Sequence, residues 1–225
     1  MSTPGTGGED RLLVAEVFRS IQGESTFAGL PCTFIRLAGC NLRCRWCDTP
    51  EAQQAPSDAQ ARSLDAVVAA ALDGHTDLVL LTGGEPLLQA AAVPLLRALC
   101  DAGRTVLLET NGTMDVTGVD GRVHRIVDVK PPSSGCCAEE RLARLSELGE
   151  RDEVKFVLAD REDYEWMRRV LAGPSIPPGP AVLASCVFGE LDPKRLVEWV
   201  LADQLPVRVQ LQLHKLIWGP DARGV

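Results

Sequence analysis

The sequence lacks a long apolar segment, a leader pattern and an excess of basic residues. No run approaches the ~18 consecutive apolar residues of a membrane helix, and no signal peptide opens the chain. A net charge of -8 argues against a basic surface that grips nucleic acid. We therefore expect a cytoplasmic protein with no membrane contact and no direct nucleic-acid binding.

Internal repeats and long linkers are also missing, which favours a single core. A chain of 225 residues with 45% hydrophobic content can bury one substantial core. Residues 1–10 are rich in Gly, Ser, Thr and Pro and are predicted to be a disordered tail. Residues 11–225 are predicted to form one domain.

Three closely spaced cysteines are the most informative feature that is present. Cys40, Cys44 and Cys47 follow the pattern C-x3-C-x2-C. Three thiolates can hold three corners of a 4Fe–4S cluster and leave one iron open for chemistry. A zinc site is the alternative, although zinc usually needs four ligands and no second C-x2-C pair follows. Buried free thiols are expected at the other cysteines, which are Cys32, Cys100, Cys136, Cys137 and Cys186.

Short apolar runs alternate with helical patterns, which predicts βαβ units and a parallel sheet. The predicted strands are Leu12–Phe18, Thr33–Leu37, Leu78–Leu81, Thr105–Glu109, Arg125–Val129, Val154–Leu158, Ala181–Ser185 and Val207–Leu213. The predicted helices are Leu64–Leu72, Pro94–Ala102, Glu139–Leu148, Glu162–Leu171 and Pro193–Asp203. We expect an α/β fold with a partial parallel βα barrel, and a doubly wound open sheet is the alternative.

Polar residues collect at the ends of these strands. Gly83, Gly84 and Glu85 follow a buried strand, and two glycines there let the backbone approach a ligand closely. An ordinary βα turn is the alternative for this loop. Since βα barrels place their active sites at the carboxyl ends of strands, a mouth lined for a polar ligand is predicted. The other strand ends carry Arg36, Glu109, Asp128, Lys130, Glu153, Lys155, Gln210, Gln212 and His214.

The cysteine spacing and the Gly-Gly-Glu loop together resemble the radical S-adenosylmethionine (SAM) superfamily. The resemblance implies that SAM chelates the open iron of the cluster. One electron then splits the sulfonium and releases a 5′-deoxyadenosyl radical. Gly84 and Glu85 stand where the superfamily holds the methionine amino group of SAM.

Four stretches narrow the resemblance to the 7-carboxy-7-deazaguanine synthase family: Phe18-Arg-Ser-Ile-Gln-Gly-Glu24, Thr82-Gly-Gly-Glu-Pro86, Lys130-Pro-Pro-Ser-Ser-Gly135 and Gln210-Leu-Gln-Leu-His-Lys215. This implies one radical SAM domain over residues 11–225, shaped as a shortened barrel and usually paired as a homodimer. The implied substrate is 6-carboxy-5,6,7,8-tetrahydropterin. Its ring contracts with loss of ammonia, giving 7-carboxy-7-deazaguanine for queuosine and related 7-deazapurines, and SAM is regenerated.

The resemblance also implies roles for individual residues. Cys40, Cys44 and Cys47 would bind the cluster, and Thr49 would hold Mg²⁺ beside the substrate carboxylate. Arg36 would bind that carboxylate, and catalytic roles fall to Arg36, Glu24 and His214. Substrate contacts are implied for Ile21, Gln22, Gly23, Arg36 and Thr82. SAM contacts are implied for Gly84, Glu85, Asp128, Val129, Lys130, Ser185, Cys186, Val187 and Phe188. Either Pro220 or Val225 would meet the substrate, and the sequence does not choose between them.

Two other functions stay open from the sequence. A radical SAM activase of a glycyl radical enzyme would share the cofactors but act on a protein. A non-catalytic module that binds zinc or a cluster belongs to a different class, and the polar strand ends argue against it. A flavodoxin or ferredoxin is the expected electron donor.

Overall fold

Nine strands of one mixed sheet organise the computed structural model, which describes residues 10–54 and 60–225. The predicted tail, residues 1–10, lies outside the described residues apart from Asp10. The strands are β1 (Arg11–Ile21), β2 (Pro31–Leu37), β3 (Gln60–Ser63), β4 (Leu78–Gly83), β5 (Thr105–Thr110), β6 (His124–Asp128), β7 (Glu153–Leu158), β8 (Ala181–Cys186) and β9 (Arg208–Gln210).

The strand order confirms a partial parallel barrel. It runs β3-β1-β2-β4-β5-β6-β7-β8-β9, so β3 and β9 are the two edges of an open sheet among the described residues. From β2 onward each neighbouring pair is parallel, whereas β1 runs antiparallel to both β2 and β3. The parallel strands therefore bring their carboxyl ends to one rim. In this register Arg36 lies beside Thr82, and Asp128 lies beside Lys155.

Helices connect the parallel strands, and side-chain caps mark several of their starts. Ser63, Asp160 and Asp192 each accept a hydrogen bond from a backbone N–H in the first turn of the following helix. No helix in the described ranges is both long and apolar enough to cross a membrane. The helices are α1 (Leu64–Asp73), α2 (Ala92–Asp101), α3 (Arg161–Ala172), α4 (Pro193–Ala202) and α5 (Leu213–Trp218).

Two predicted elements differ from the structure, and one strand was not predicted. Strand β3 was not predicted, because its sequence Gln-Ala-Arg-Ser lacks a strand pattern. The stretch Glu139–Glu147 is a 3₁₀-helix rather than an α-helix. The last predicted strand, Val207–Leu213, ends at Gln210, and Leu213 begins α5. Gln212 and His214 therefore do not lie at the end of a strand, as the sequence predicted, but at the start of α5.

The apolar core of the described residues lies in two large clusters against the helices, a small one inside the sheet, and a second small one of Val157, Ala159 and Val187. One large cluster packs α1 and α2 on β2, β4 and β5, and the other packs α3 and α4 on β7 and β8. The small inner cluster includes Phe34, Leu80 and Leu107. Because successive residues of a strand face opposite sides, a continuous apolar strand such as β4 serves both layers. Phe34 and Leu80 also form part of the floor of the cavity at the rim.

Candidate active site

A cavity of about 210 Å³ opens where the parallel strands end. It brings together the cysteine loop (residues 40–47), the glycine loop (residues 83–85) and two parts of the C-terminal segment, residues 214–215 and 220–225. The predicted residues that line it are Ile21, Gln22, Gly23, Glu24, Arg36, Cys40, Cys44, Cys47, Thr49, Thr82, Gly84, Asp128, Lys130, His214, Pro220 and Val225.

The other predicted residues lie outside this cavity. Val187 and Phe188 line an adjoining cavity of about 230 Å³, which shares Trp46, Cys47 and Asp48 with the first. The two cavities together could hold a ligand larger than either. Neither cavity is lined by Glu85, Val129, Ser185 or Cys186.

Backbone and side-chain bonds fix the cysteine loop at both ends. Gly39 N donates to Ala52 O at 2.8 Å, and Arg45 N donates to Ser134 O at 3.0 Å. The Arg45 guanidinium forms a two-pronged pair with Glu190, with N–O distances of 2.9 and 2.7 Å. Cys40 and Cys44 lie between Gly39 and Arg45, Cys47 follows Arg45, and all three line the cavity.

The three thiols fit a cluster with one open iron. All three are free and partly exposed, and Asn111 Nδ2 lies 3.8 Å from Cys40 Sγ. Within residues 10–54 and 60–225, no three Cys, His, Asp or Glu side chains converge on a single ion. A cubane cluster does not require such convergence, because each cysteine binds a different iron. A polar hydrogen near a cluster sulfur is also a recognised means of tuning its potential.

The electrostatics around Cys44 keep its thiol protonated until metal arrives. Burial raises the pKa of Cys44 to about 12, with smaller contributions from Cys136 and Asp128, while Lys130 opposes the shift. The thiolate is the form that binds metal. Loading of the site is therefore coupled to release of this proton.

Gly84 lies where the exit of β4 crosses the cysteine loop. A Cβ at this position would lie 2.2 Å from Gly39 O and 2.8 Å from Cys40 Cβ. Backbone contacts that short are not tolerated, so a larger residue would displace the loop. The close approach explains physically why glycine stands here.

The Glu85 carboxylate points into the protein rather than into the cavity. It is fully buried and accepts hydrogen bonds from Asn111 N at 2.7 Å, Leu87 N at 3.0 Å and Thr110 Oγ1 at 2.9 Å. Burial raises its pKa, and these hydrogen bonds oppose the rise. Glu85 thereby ties the glycine loop to β5. Its contact with SAM stays a prediction.

A buried lysine joins two carboxylates at the centre of the cavity wall. Lys155 Nζ donates to Glu24 Oε2 and to Glu109 Oε1, both at 2.6 Å. Thr82 Oγ1 donates to the other oxygen of Glu109 at 3.3 Å. Glu24 Oε1 is buried and has no partner among the described residues. An unpaired buried acceptor in a cavity wall is a place for a ligand N–H.

This network is charged at neutral pH. Burial alone would lower the pKa of Lys155, but Glu109, Glu24 and Asp128 outweigh it and raise that pKa well above its ordinary value. Burial alone would raise the pKa of Glu109, but Lys155, Lys130 and Arg36 outweigh it and lower that pKa. The network consequently sets the Lys155 cation against the Glu109 anion.

Asp128 and Lys130 form a second ion pair beside the cysteine loop. Lys130 Nζ donates to Asp128 Oδ2 at 2.7 Å, and Asp128 Oδ1 is buried without a partner among the described residues. Between them, Val129 N donates to Lys155 O at 2.8 Å. The Val129 backbone is therefore used by the sheet, and its side chain packs in the apolar core.

Arg36 presents a guanidinium over an aromatic wall. Its Nε donates to Glu16 Oε1 at 2.6 Å, and its guanidinium carbon lies 5.7 Å from the Phe18 ring centre. Phe18 stacks on Phe34 with 4.8 Å between ring centres. Because this pairing uses only Nε, the terminal nitrogens are left to bind a ligand carboxylate.

Asp48 anchors the C-terminal segment next to Thr49. Its carboxylate accepts hydrogen bonds from Gln212 Nε2 at 3.0 Å and from Lys215 Nζ, and its carbonyl accepts from Arg223 Nη1 at 2.9 Å. Thr49 precedes the short turn Pro50–Ala52, and its hydroxyl does not cap that turn. The hydroxyl is thus available at the cavity wall.

His214 lies against the segment that leaves β1. Leu213 N donates to Gly23 O at 3.1 Å, and a Cβ at Gly23 would lie 2.5 Å from His214 Nδ1. Burial lowers the pKa of His214, and Glu24 and Asp48 oppose the shift. The imidazole is accordingly neutral at pH 7 and can accept a proton.

Sequence reasoning missed several side chains of this site. Glu109 and Lys155 stood out as polar strand ends without an assigned role, although a lysine inside the buried run Glu-Val-Lys-Phe-Val-Leu signals a buried partner. Asp48 carried no signal, because its partners Gln212 and Lys215 are far away in the chain.

Comparisons with known proteins agree with this geometry. The radical SAM superfamily matches residues 34–158. The 7-carboxy-7-deazaguanine synthase of Chlorobaculum tepidum is 49% identical over 221 residues, which cover 96% of this chain and 99% of the relative. The enzyme of the same description from Koribacter versatilis is 39% identical over 226 residues, covering 94% and 99%.

Solved structures share the fold. The crystal structure of QueE from Escherichia coli gives a TM-score of 0.70 at 24% identity, covering 91% of this chain and 95% of that one. Streptococcus suis SuiB bound to S-adenosylmethionine gives a TM-score of 0.56 at 13% identity, covering 79% and 50%. At these identities the likeness concerns the fold alone.

Proposed function

This chain belongs to the 7-carboxy-7-deazaguanine synthase family of the radical SAM superfamily, and we propose that it makes 7-carboxy-7-deazaguanine by ring contraction of 6-carboxy-5,6,7,8-tetrahydropterin with loss of ammonia. The product enters queuosine biosynthesis. One observation carries the assignment: the cysteine loop, Arg36 and the carboxylates of Glu24 and Glu109 line the same cavity.

The superfamily implies a 4Fe–4S cluster and SAM as cofactors. When bound, they supply a 5′-deoxyadenosyl radical that removes hydrogen from C6 of the pterin. Cys40, Cys44 and Cys47 would hold the cluster. Gly84 would allow SAM to lie against the crossing of the two loops, since it adds no side chain there.

The polar wall orients the substrate. Arg36 binds the substrate carboxylate through the guanidinium nitrogens that Glu16 leaves free. Glu24 Oε1 accepts a hydrogen bond from the amino-pyrimidine edge, because it is a buried acceptor without a protein partner. Lys155 holds Glu24 and Glu109 in place.

His214 lines the same cavity and, with its pKa lowered by burial, is neutral at pH 7, so we assign it as a proton acceptor. Burial lowers its pKa, so its ring nitrogen can take a proton during the rearrangement and return it to the departing ammonia. Its position is set by the contact with Gly23.

Magnesium would lie between Thr49 and the substrate carboxylate. Magnesium commonly takes few protein ligands and completes its shell with substrate oxygens and water. Thr49→Val keeps the side-chain shape and removes the hydroxyl, so we expect stimulation by Mg²⁺ to be lost while iron content is unchanged. The measurement is the product rate with and without Mg²⁺. Equal stimulation of variant and wild type would remove Thr49 from the metal site.

Assembly and location follow as further parts of the proposal. Exposed apolar side chains cluster around α5, at Leu211, Leu216, Ile217 and Trp218, which supports a homodimer. All eight cysteines are described and free, which supports a reducing, cytoplasmic setting. A flavodoxin or ferredoxin would supply the electron.

Anaerobic incubation of the reduced, cluster-loaded protein with SAM and the carboxypterin tests the function. Mass spectrometry should detect 7-carboxy-7-deazaguanine without a matching amount of 5′-deoxyadenosine. The variant with Cys40, Cys44 and Cys47 all changed to Ala is the negative control. SAM cleavage without that product would contradict the substrate and favour the activase alternative.

A further inference from the structure

One motif of the sequence, residues 130–135, forms a compact turn behind the cysteine loop, and only Lys130 of this motif lines the cavity. We call residues 130–135 the proline–serine turn. Pro132–Ser134 form a short 3₁₀-helix within it. Ser134 is fully buried, and its hydroxyl donates to Pro131 O at 2.6 Å. Because two prolines also restrict the backbone, the turn is stiff and its residues keep their places relative to one another.

The middle of the cysteine loop is attached to this turn. Arg45 N donates to Ser134 O at 3.0 Å, and Arg45 Nε donates to Ser133 O at 3.2 Å. Arg45 directly follows Cys44 and lies two residues before Cys47. The positions of these two thiols therefore depend on where the turn lies.

A buried carboxylate on α3 fixes the position of the turn. Asp163 lies in the first turn of α3 and is fully buried. Its Oδ1 accepts a hydrogen bond from Ser133 N at 3.0 Å, and its Oδ2 accepts from Ala159 N at 3.0 Å and from Ser133 Oγ. The bond from Ala159 belongs to the start of the helix. The two bonds from Ser133 join α3 to the proline–serine turn.

A carboxylate suits this position better than an amide does. Three donors reach the two oxygens of Asp163, and hydrogen bonds to an ionised acceptor are stronger than those to a neutral one. Asparagine has the same shape, but it offers one acceptor oxygen and one NH₂ donor. In Asp163→Asn the NH₂ group would face a backbone N–H, either of Ser133 or of Ala159, and the bonds that remain would lose their ionised acceptor.

We propose that Asp163 is a positioning residue for the cluster site: through Ser133 and the proline–serine turn it holds Arg45, and with it the cysteine loop, in the conformation that retains a cluster. Asp163 acts through other residues and lines neither cavity. The inference rests on the proposed function in that the site must hold a cluster. Residues behind the ligands change metal affinity about 10- to 100-fold when they are mutated, although they touch no metal.

Asp152 provides a matched control, because it is also a buried carboxylate that holds two segments together. It accepts from Gly149 N at 2.7 Å and from Arg125 N at 3.0 Å, and it pairs with Arg125 Nη2 at 2.5 Å. It directly precedes β7, whereas the cysteine loop lies at the carboxyl ends of the parallel strands. Asp152→Asn therefore removes a comparable buried charge without contact to the turn.

Cluster retention tests the role of Asp163 in the full chain after anaerobic loading. The variants are Asp163→Asn, Ser133→Ala and Asp152→Asn. Ser133→Ala removes the hydroxyl bond and keeps the backbone bond to Asp163. The readouts are iron per chain, the rate of cluster loss to an iron chelator followed by absorbance, and the electron paramagnetic resonance spectrum of the dithionite-reduced cluster. Urea unfolding of the cluster-free chains measures stability separately.

We expect Asp163→Asn to lose its cluster to the chelator about tenfold faster than the wild type and to give an altered resonance spectrum. Ser133→Ala should change both readouts in the same direction by a smaller factor. Asp152→Asn should unfold at a lower urea concentration and yet keep the cluster-loss rate and the spectrum of the wild type.

Two results would overturn the proposal. One is cluster loss at the wild-type rate in Asp163→Asn, and the other is equally fast loss in Asp152→Asn, which would make general stability the cause. If Asp163→Asn does not fold, Ser133→Ala decides, and a wild-type rate in that variant overturns the proposal as well. Failure of the proposed function would look different: the variants would follow the expected order of cluster loss, but the wild type would make no carboxydeazaguanine.

Discussion

Changing Lys155 to methionine leaves two half-buried carboxylates, those of Glu24 and Glu109, without their shared cation. The methionine keeps the length and most of the packing of the lysine stem, so the change isolates the charge. Lys155 is 7% exposed in its side chain and bonds Glu24 and Glu109 at 2.6 Å each. Like-charged neighbours in the variant would repel each other and raise their own pKa values.

Removal of one partner from a buried ion pair costs ~3–5 kcal/mol. The side chains of Glu24 and Glu109 are 16% and 24% exposed, so water can reach part of each carboxylate. We therefore place the loss for Lys155→Met at the lower end, about 3 kcal/mol in the free energy of unfolding. Adding Glu109→Gln removes one stranded charge and should recover about half of that loss.

Urea unfolding of the cluster-free chain at neutral pH measures this loss. Lys194→Met is the matched control, because Lys194 is 79% exposed and lies 3.8 Å from Glu198 on the surface of α4. The control should lose less than about 0.5 kcal/mol. A loss below about 1 kcal/mol in Lys155→Met would refute the description of a buried charge network.

The same network fixes the sign of the pH dependence. Folding raises the pKa of Lys155, so its stabilisation is complete below the unfolded lysine value of ~10.4 and is lost as pH rises through the folded pKa. Folding lowers the pKa of Glu109, so its stabilisation is present above the unfolded value of ~4.3 and is lost as pH falls through the folded pKa. The stability difference between wild type and Lys155→Met should be flat around neutral pH. It should shrink as pH rises through the folded pKa of Lys155 and as pH falls through the raised carboxylate pKa values of the variant.

Three further substitutions probe other parts of the site and the core. Gly84→Ala should displace the cysteine loop and sharply lower the iron content while the fold is retained. The control is Gly118→Ala, whose added Cβ would meet nothing within 4 Å and which should load iron normally. Iron analysis measures the loading, and circular dichroism checks the fold. Arg36→Ala should weaken pterin binding about 10- to 100-fold with SAM binding intact, as judged by calorimetry, and unchanged affinity would sink the role. Tyr164→Phe deletes a 2.7 Å hydrogen bond to Asp203 and should cost about 2 kcal/mol in urea unfolding, while a neutral result would mean that water replaces the bond.

Local pattern was sufficient for the parallel part of the fold. The apolar run of β4 and the capped starts of α3 and α4 report burial and helix entry directly, since each depends on neighbours in sequence. The cysteine spacing likewise predicts a cluster site, and the glycine pair predicts a close approach of the backbone to a ligand, without knowledge of any tertiary contact. These parts of the cavity could be predicted because their physics is local.

The end of the chain could not be predicted in the same way. Gln212 and Lys215 both bond to Asp48. Residues three apart lie on opposite faces of a strand but on the same face of a helix, so these two bonds favour a helical turn. The alternating pattern favoured a strand, but hydrogen bonds to a residue more than 160 positions away decided the conformation. The inward turn of Glu85 has the same cause, because its partners Thr110 and Asn111 come from the next strand.

The short edges of the open sheet help the protein to avoid aggregation. An exposed strand edge offers unpaired N–H and C=O groups that can recruit a strand from another molecule. Here the two edges in the described ranges are also the two shortest strands, with four residues in β3 and three in β9. So few free groups make a poor template. The barrel can thus stay open beside its active site while its edge strands offer few groups for pairing with another molecule.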